Sequence, residues 1–462
     1  MRHFISQISL MHGWLPATVQ AIAAALVVAA IGWRSRSIRW RTVWLPSMVI
    51  AALVVAFAVR WYVDSLGLAG QPGPHVLWIW IQLTALAVGL LVVGWPGAQW
   101  WRRGVAVLAV PLCLLSASLV LNGWVGYFPT VRTAWDQLSA APLPNQVDRL
   151  AVTAMQLRHE RPTKGVVVSV NIDSDVSTFS HRGEFVYLPP AWFATNPPPK
   201  LPTVMMISSE LNTPADWIRV GNAVITADGF AATHGGNAPV LAFVDPTGSF
   251  TNDTECVNSS RGNVADYLTR DVVPYMVSNF GVRPDREGWG VVGWSMGGTC
   301  AVDLAVMHPE LFSAFVDIAG DIGPNTGDKE QTIERLYGGD ADAWLAFDPI
   351  SVMTRHGPYT GMSGWFEIPG NEGDSAGDKS ANPEGQDVAA QSLCAVAGVN
   401  GIDCAVVRHP GRHDWQFASM AFWYSFPWLA GQLQTPQYPR IPLPGARPSE
   451  PGPEPPRPPS TR

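Results

Sequence analysis

The residues best suited to chemistry begin with G293-W-S295-M-G297, a G-x-S-x-G pattern. That spacing needs a sharp turn from strand to helix, which lifts the Ser295 hydroxyl above a sheet while glycines let the backbone crowd close. An apolar run precedes the pattern and an amphipathic run follows it, so both flanking elements are present. A helix starting there aims its N-terminal N–H groups at developing negative charge. A chance Gly/Ser turn is the plain alternative, and the strand–turn–helix context speaks against it. A serine nucleophile needs a base, and chain order in such sites is serine, acid, histidine. His413, in PGRHDW beyond the last expected strand, is placed to take the Ser295 proton and return it to a leaving group. His409, nearer the strand end, reads as structural, and His308 and His356 read as surface or loop residues.

The acid is expected after the strand GWFEIPG, in N371-E372-G373-D374-S375. Asp374 is the first choice, Glu372 the second and Asp378 the third, with Asp321 a remoter alternative at a different strand end. Its work is to hold the imidazole tautomer and to stabilise the imidazolium. The oxyanion hole calls for two backbone N–H groups: that of Met296, and that of Glu210 or Leu211 in the loop S208-S209-E210-L211-N212.

These residues need a rigid scaffold. From Gly165 onward, short apolar runs (GVVVSVNI, GEFVYLPP, LPTVMMIS, APVLAFVD, GWGVVGW, SAFVDIAG, GMSGWFEIPG, IDCAVVRHPG) alternate with stretches of helical spacing. That alternation predicts an α/β architecture with a doubly wound, mainly parallel sheet.

The first part of the chain is different. Hydrophobic residues make up 47% of the sequence and charged residues 15%, a balance that points to a membrane portion. Four segments reach the length of roughly 20 apolar residues that a crossing helix takes: Leu15–Trp33, Val43–Val63, His75–Trp95 and Gly104–Asn122. An Arg-rich loop follows the first one where a signal peptide would carry a small-residue cleavage site. Arg34, Arg36, Arg39 and Arg41 in that loop, and Arg102 and Arg103 after the third segment, place both loops on the cytoplasmic side. Four crossings then leave both termini, and the domain after Asn122, outside. The expected layout is a membrane domain over 1–125, a linker with helical pieces over 126–164, a catalytic domain over 165–432 and a Pro-rich disordered tail over 433–462. Net charge is −7 and no basic cluster is interleaved with aromatics, so nucleic acid is not an expected partner. Cys113 falls inside a span, whereas Cys256, Cys300, Cys394 and Cys404 fall in the outer domain, where disulfides form. Cys394 with Cys404 is one candidate pair and Cys256 with Cys300 the other; none of the spacings fits a zinc site.

Around these residues the chain resembles the esterase family of α/β-hydrolases that includes esterase D-type hydrolases, enterochelin esterases and mycobacterial mycolyltransferases. The likeness runs from about Gly165 to Leu429, on VYLPPAW, PADW, NDTECV, YLTRDVVPYM, GWSMGGTCAVDLAVMHPELF and PGRHDW. It implies the α/β-hydrolase fold, with Ser295 as nucleophile and His413 as base. Two departures stand out. Family members often carry a His-Gly, Asp-Gly or Gly-rich turn where this chain has Ser208, Ser209 and Glu210, and Glu210 there either points away or alters the pocket electrostatics. The mycolyltransferases carry their acid on a helix, and the matching stretch AAQSL here has no carboxylate. With the four apolar spans, the resemblance leads to the expectation of a multi-pass membrane serine esterase or acyltransferase; the anchor suits an amphiphilic substrate, so the expected partners are the bilayer and an acyl ester or glycolipid of the envelope. Mycolyltransferase-like transfer to a sugar is the second reading, and a catalytically silent binding domain the third. No metal or organic cofactor is implied, and the sequence names no protein partner.

Overall fold

The computed structural model describes residues 8–33, 37–66, 73–96, 98–139, 141–371, 382 and 385–445. Four apolar helices come first: α1 (Trp14–Ile31), α2 (Leu45–Leu66), α3 (His75–Gly94) and α4 (Trp100–Val125). All four are long and apolar enough to cross a membrane. They meet through small side chains, with Ala23, Ala87, Ala109 and Cys113 fully buried between them. Small residues let helix backbones approach closely where no water drives association. Val28, Val54, Phe57 and Val92 face outward instead. An apolar exterior of that kind suits lipid and is costly in water.

The second module is built on a nine-stranded sheet. Its strands are β1 (Gln146–Val147), β2 (Val166–Val170), β3 (Glu184–Leu188), β4 (Thr203–Ile207), β5 (Val240–Val244), β6 (Trp289–Trp294), β7 (Ala314–Ile318), β8 (Ser363–Pro369) and β9 (Asp403–His409). In space they run β1-β2-β3-β5-β4-β6-β7-β8-β9, and only β3 is antiparallel to its neighbours. The strand sequences are apolar on both faces because helices cover both faces. Met205, Ile207 and Val291 point into one layer, Val204, Met206 and Val292 into the other. The first layer holds α8 (Val273–Phe280), α9 (Met296–Met307) and α11 (Gln386–Val399). The second holds α7 (Ala223–Thr233) and α12 (Trp415–Gln432). A further helix, α10 (Pro349–His356), packs on α9 and α11.

Two segments differ from the sequence expectation. The stretch expected as a linker is built in: α5 (Val131–Leu138) and α6 (Arg149–Leu157) flank β1, which pairs in parallel with β2. Two β residues are too few to stand out in sequence; only the partner strand defines them. The tail expected to be disordered from residue 433 instead packs on the domain at first. The Tyr438 ring lies 4.7 Å from Phe230 and from His234, and Gln432 donates to the Ile441 carbonyl at 2.9 Å. Residues 446–462 lie outside the described residues.

Candidate active site

β6 ends under Ser295, and α9 begins at Met296. Ser295 sits at φ 56°, ψ −123°, a strained backbone that persists only where the surroundings enforce it. Ser295 N–H donates to the Ile318 carbonyl at 2.9 Å, and its own carbonyl accepts from Gly298 N–H at 2.7 Å. The glycines make that turn possible. A Cβ on Gly293 would fall on the Gly297 carbonyl, one on Gly297 would fall on the Ile207 carbonyl, and one on Gly298 on the Asp317 carboxylate.

His413 arrives on the loop between β9 and α12. Its Nε2 lies 3.0 Å from Ser295 Oγ, within proton-transfer reach. Its ring packs 4.3 Å from the Trp294 ring. The next residue, Asp414, caps α12 by accepting from Phe417 N–H at 3.0 Å, which fixes the loop. Burial pushes the His413 imidazole down to about 4, so at neutral pH it is the unprotonated form that can accept a proton. Nδ1 on the far side of the ring is enclosed and has no partner among the described residues. That is the position an acid would take. Glu372, Asp374 and Asp378 all lie outside the described residues.

The carboxylates that are described nearby are otherwise engaged. Glu367 on β8 binds His409 Nδ1 and accepts from Trp365 Nε1 at 2.7 Å. Asp387 lies 3.5 Å from Arg408. Asp321 accepts from Asn325 Nδ2 at 3.0 Å. His409, held by Glu367 and stacked 4.1 Å from Tyr424, is a packing residue. His308 pairs with Glu310 at 3.0 Å, and His356 stacks 4.2 Å from Tyr359.

Met296 opens α9, so its N–H lies in the first turn, where helix N–H groups have no intrahelical acceptor. The loop after β4 lies against this turn through Ile207 and Ser208. Buried Trp217 anchors the loop by donating Nε1 to the Ile207 carbonyl at 2.9 Å. The N–H groups of Glu210 and Leu211 donate to no acceptor among the described residues. Glu210 accepts a hydrogen bond from Ser209 Oγ. Burial first and the Glu210 charge next push Asp253 up to about 7; burial pushes Asp321 up to about 6, against the Asn325 hydrogen bond and with Glu210 adding to it. Glu255 is also raised, by burial and by Asp253. The sequence reading missed this set, because Asp253 and Glu255 arrive from a distant loop and only the fold brings them to Glu210. In NDTECV the sequence offers Cys256 as a disulfide candidate and a likeness to the family; the two acids beside that cysteine are the available signal for the set. Among the described residues no three His, Cys, Asp or Glu side chains are arranged to hold a metal.

The cysteines pair as two bridges. Cys256 joins its loop to Cys300 on α9, and Cys394 on α11 joins Cys404 on β9, with Cα separations of 5.6 and 5.8 Å.

A serine at a strained strand-to-helix turn, an imidazole on its hydroxyl and a mostly parallel sheet beneath define a serine hydrolase of the α/β-hydrolase fold. The sequence profile of the family described as "Putative esterase" matches residues 178–423, and the chain belongs to that family. An uncharacterized protein of Corynebacterium glutamicum is 30% identical over 88% of this chain and 93% of its own length. The diacylglycerol acyltransferase/mycolyltransferase Ag85A of Mycobacterium ulcerans is 38% identical over 18% of this chain and 23% of its own. The S-formylglutathione hydrolase of Paracoccus denitrificans is 30% identical over 24% of this chain and 39% of its own.

Proposed function

We propose that this chain is a membrane-anchored serine esterase or acyltransferase that works through an acyl-Ser295 intermediate on carboxylic esters of envelope lipids or glycolipids. The observation that carries it is the 3.0 Å approach of His413 Nε2 to Ser295 Oγ at the elbow. His413 takes the hydroxyl proton as Oγ attacks the ester carbonyl, then gives it to the departing alcohol. The oxyanion formed meets the N–H of Met296 and of Glu210 or Leu211. Asp374, or Glu372 or Asp378 after it, completes the triad at Nδ1. In support, Nδ1 is buried without a described partner, and β8, which these residues follow in sequence, pairs in parallel with β9 and ends beside it at Pro369 and His409.

The second stage takes water or an alcohol. Transfer to a sugar hydroxyl is the second reading, and the short stretch of likeness to the Mycobacterium ulcerans acyltransferase favours keeping it. The membrane anchor suits an amphiphilic substrate, and the four apolar helices support it. The sidedness proposed from the Arg-bearing loops puts the hydrolase on the extracytoplasmic face. The test is to incubate the reconstituted full chain with labelled envelope lipid extract, beside Ser295→Ala. Released fatty acid in water, or acyl groups moved to a glycolipid, is the expected product. An unchanged lipid profile with active-site labelling intact would contradict the lipid reading.

A further inference from the structure

The hydrogen bonds described between the four-helix module and the hydrolase gather on one rim. Gln416 Nε2 donates to the Gly126 carbonyl at 2.7 Å, just past α4. Tyr127 hydrogen-bonds Asp216, in the segment after β4. Arg335, in the segment after β7, donates to the Asp64 carbonyl near the end of α2 at 3.2 Å. Gln416, Asp216 and Arg335 thus follow the C-terminal ends of β9, β4 and β7, strands parallel to β6, which carries Ser295; β4 and β7 flank β6, and β9, whose following loop brings His413 to Ser295, lies two strands beyond β7. The loops that ring the nucleophile are the ones that touch the membrane module. The span ends they meet also agree with one another. The ends of α2 and α4 fall on the same face by the placement of the Arg-bearing loops, and so does the start of α1. There Ser9 bridges Thr130, which lies just past α4.

The same rim carries large apolar side chains open to solvent. Leu211 follows β4 and is 48% exposed; Ile322 follows β7 and is 44% exposed. Phe250 follows β5, is 54% exposed and lies 5.0 Å over Arg182, whose guanidinium holds the carbonyl of Asn212 beside Leu211. On α5, Trp135 and Leu138 are three residues apart, hence on one face, and both are exposed. Clustered exposed apolar groups mark an interaction surface. Next to the ends of apolar spans, the headgroup layer is the medium that accepts Trp and Leu.

We propose that the hydrolase lies mouth-down on the outer leaflet, with Leu211, Phe250, Ile322, Trp135 and Leu138 in the headgroup layer and Ser295 taking acyl esters from lipids still seated in the bilayer. The proposal rests on the membrane-anchored esterase reading and names the source of its substrate. The chemistry balances within the site. The Oγ–acyl bond forms as the ester C–O bond breaks, the Ser295 proton passes through His413 to the departing alcohol, and water or an acceptor hydroxyl later takes the acyl group and restores the serine.

Single cysteines at Phe250, Ile322, Leu138 and Val399 in a Cys113→Ala full chain, each carrying bimane, test it in nanodiscs containing a lipid with a headgroup nitroxide. Val399 is exposed and precedes the N-terminal end of β9, the opposite edge of the sheet. Fluorophosphonate labelling of Ser295 verifies that each variant is folded. Loss of bimane intensity at 250, 322 and 138, with intensity kept at 399, is the expected result. Quenching at 138 alone, or equal quenching at 322 and 399, overturns the orientation and leaves the rim to a protein partner. The readout is a distance, so it separates from turnover. Quenching at 250 and 322 in a chain inert towards lipids would overturn the substrate and not the orientation.

Discussion

At the scale of single residues, the account stands on Ser295 and His413. His413→Ala is expected to lower kcat on a soluble ester by on the order of 10⁴ to 10⁶-fold, measured beside fluorophosphonate labelling. The pH profile carries a second expectation. The protonated imidazole is the inactive form, and burial holds His413 down to about 4. A carboxylate at Nδ1 stabilises the imidazolium and raises that value, so the acid limb of kcat/KM is expected to lie lower in Asp374→Asn than in the unaltered chain; an unmoved limb would contradict a carboxylate at Nδ1. The third triad member is sought in the loop after β8. Asp374→Asn is expected to cost about 10⁴-fold in kcat, whereas Glu372→Gln and Asp378→Asn leave most of the activity. An equal loss on Glu372→Gln instead would move the acid to that residue.

At the scale of elements, the elbow depends on close backbone contact between β6 and α9. Gly293→Ala is expected to destabilise the fold by about 3 kcal/mol and to abolish labelling of Ser295, read by the denaturant midpoint. The parts of this site that are local in sequence were legible in it. G-x-S-x-G, its strand and its helix lie within one stretch, and the long apolar spans declare themselves by length. What the sequence hid is non-local. Gln146–Val147 becomes a strand only against β2, Glu367 meets His409 only across β8 and β9, and Asp253 and Glu255 reach Glu210 only through the fold. The tail through Leu443 reads as disordered from its prolines, yet Tyr438 finds a pocket edge at Phe230.

At the scale of the whole molecule, buried carboxylates set the response to pH. Asp253 and Asp317 are pushed up to about 7 and Asp321 to about 6, with Glu255 and Asp303 also raised, burial being the first cause in each. A carboxyl raised above its unfolded value adds stability that is full below about pH 4 and is lost as pH rises through the folded value. His413, lowered by burial, opposes this between about 4 and 6.5. The carboxylates outnumber it, so Tm of the full chain in nanodiscs is expected to fall between pH 5 and 8, as followed by calorimetry; a rising Tm would contradict the buried cluster. The measurement that bears most directly on the central claim is peptide mass spectrometry of the full chain in nanodiscs after reaction with a fluorophosphonate. The account predicts one adduct, on the peptide bearing Ser295, lost in Ser295→Ala and greatly slowed in His413→Ala. An adduct on another residue, or undiminished labelling of Ser295→Ala, would contradict it.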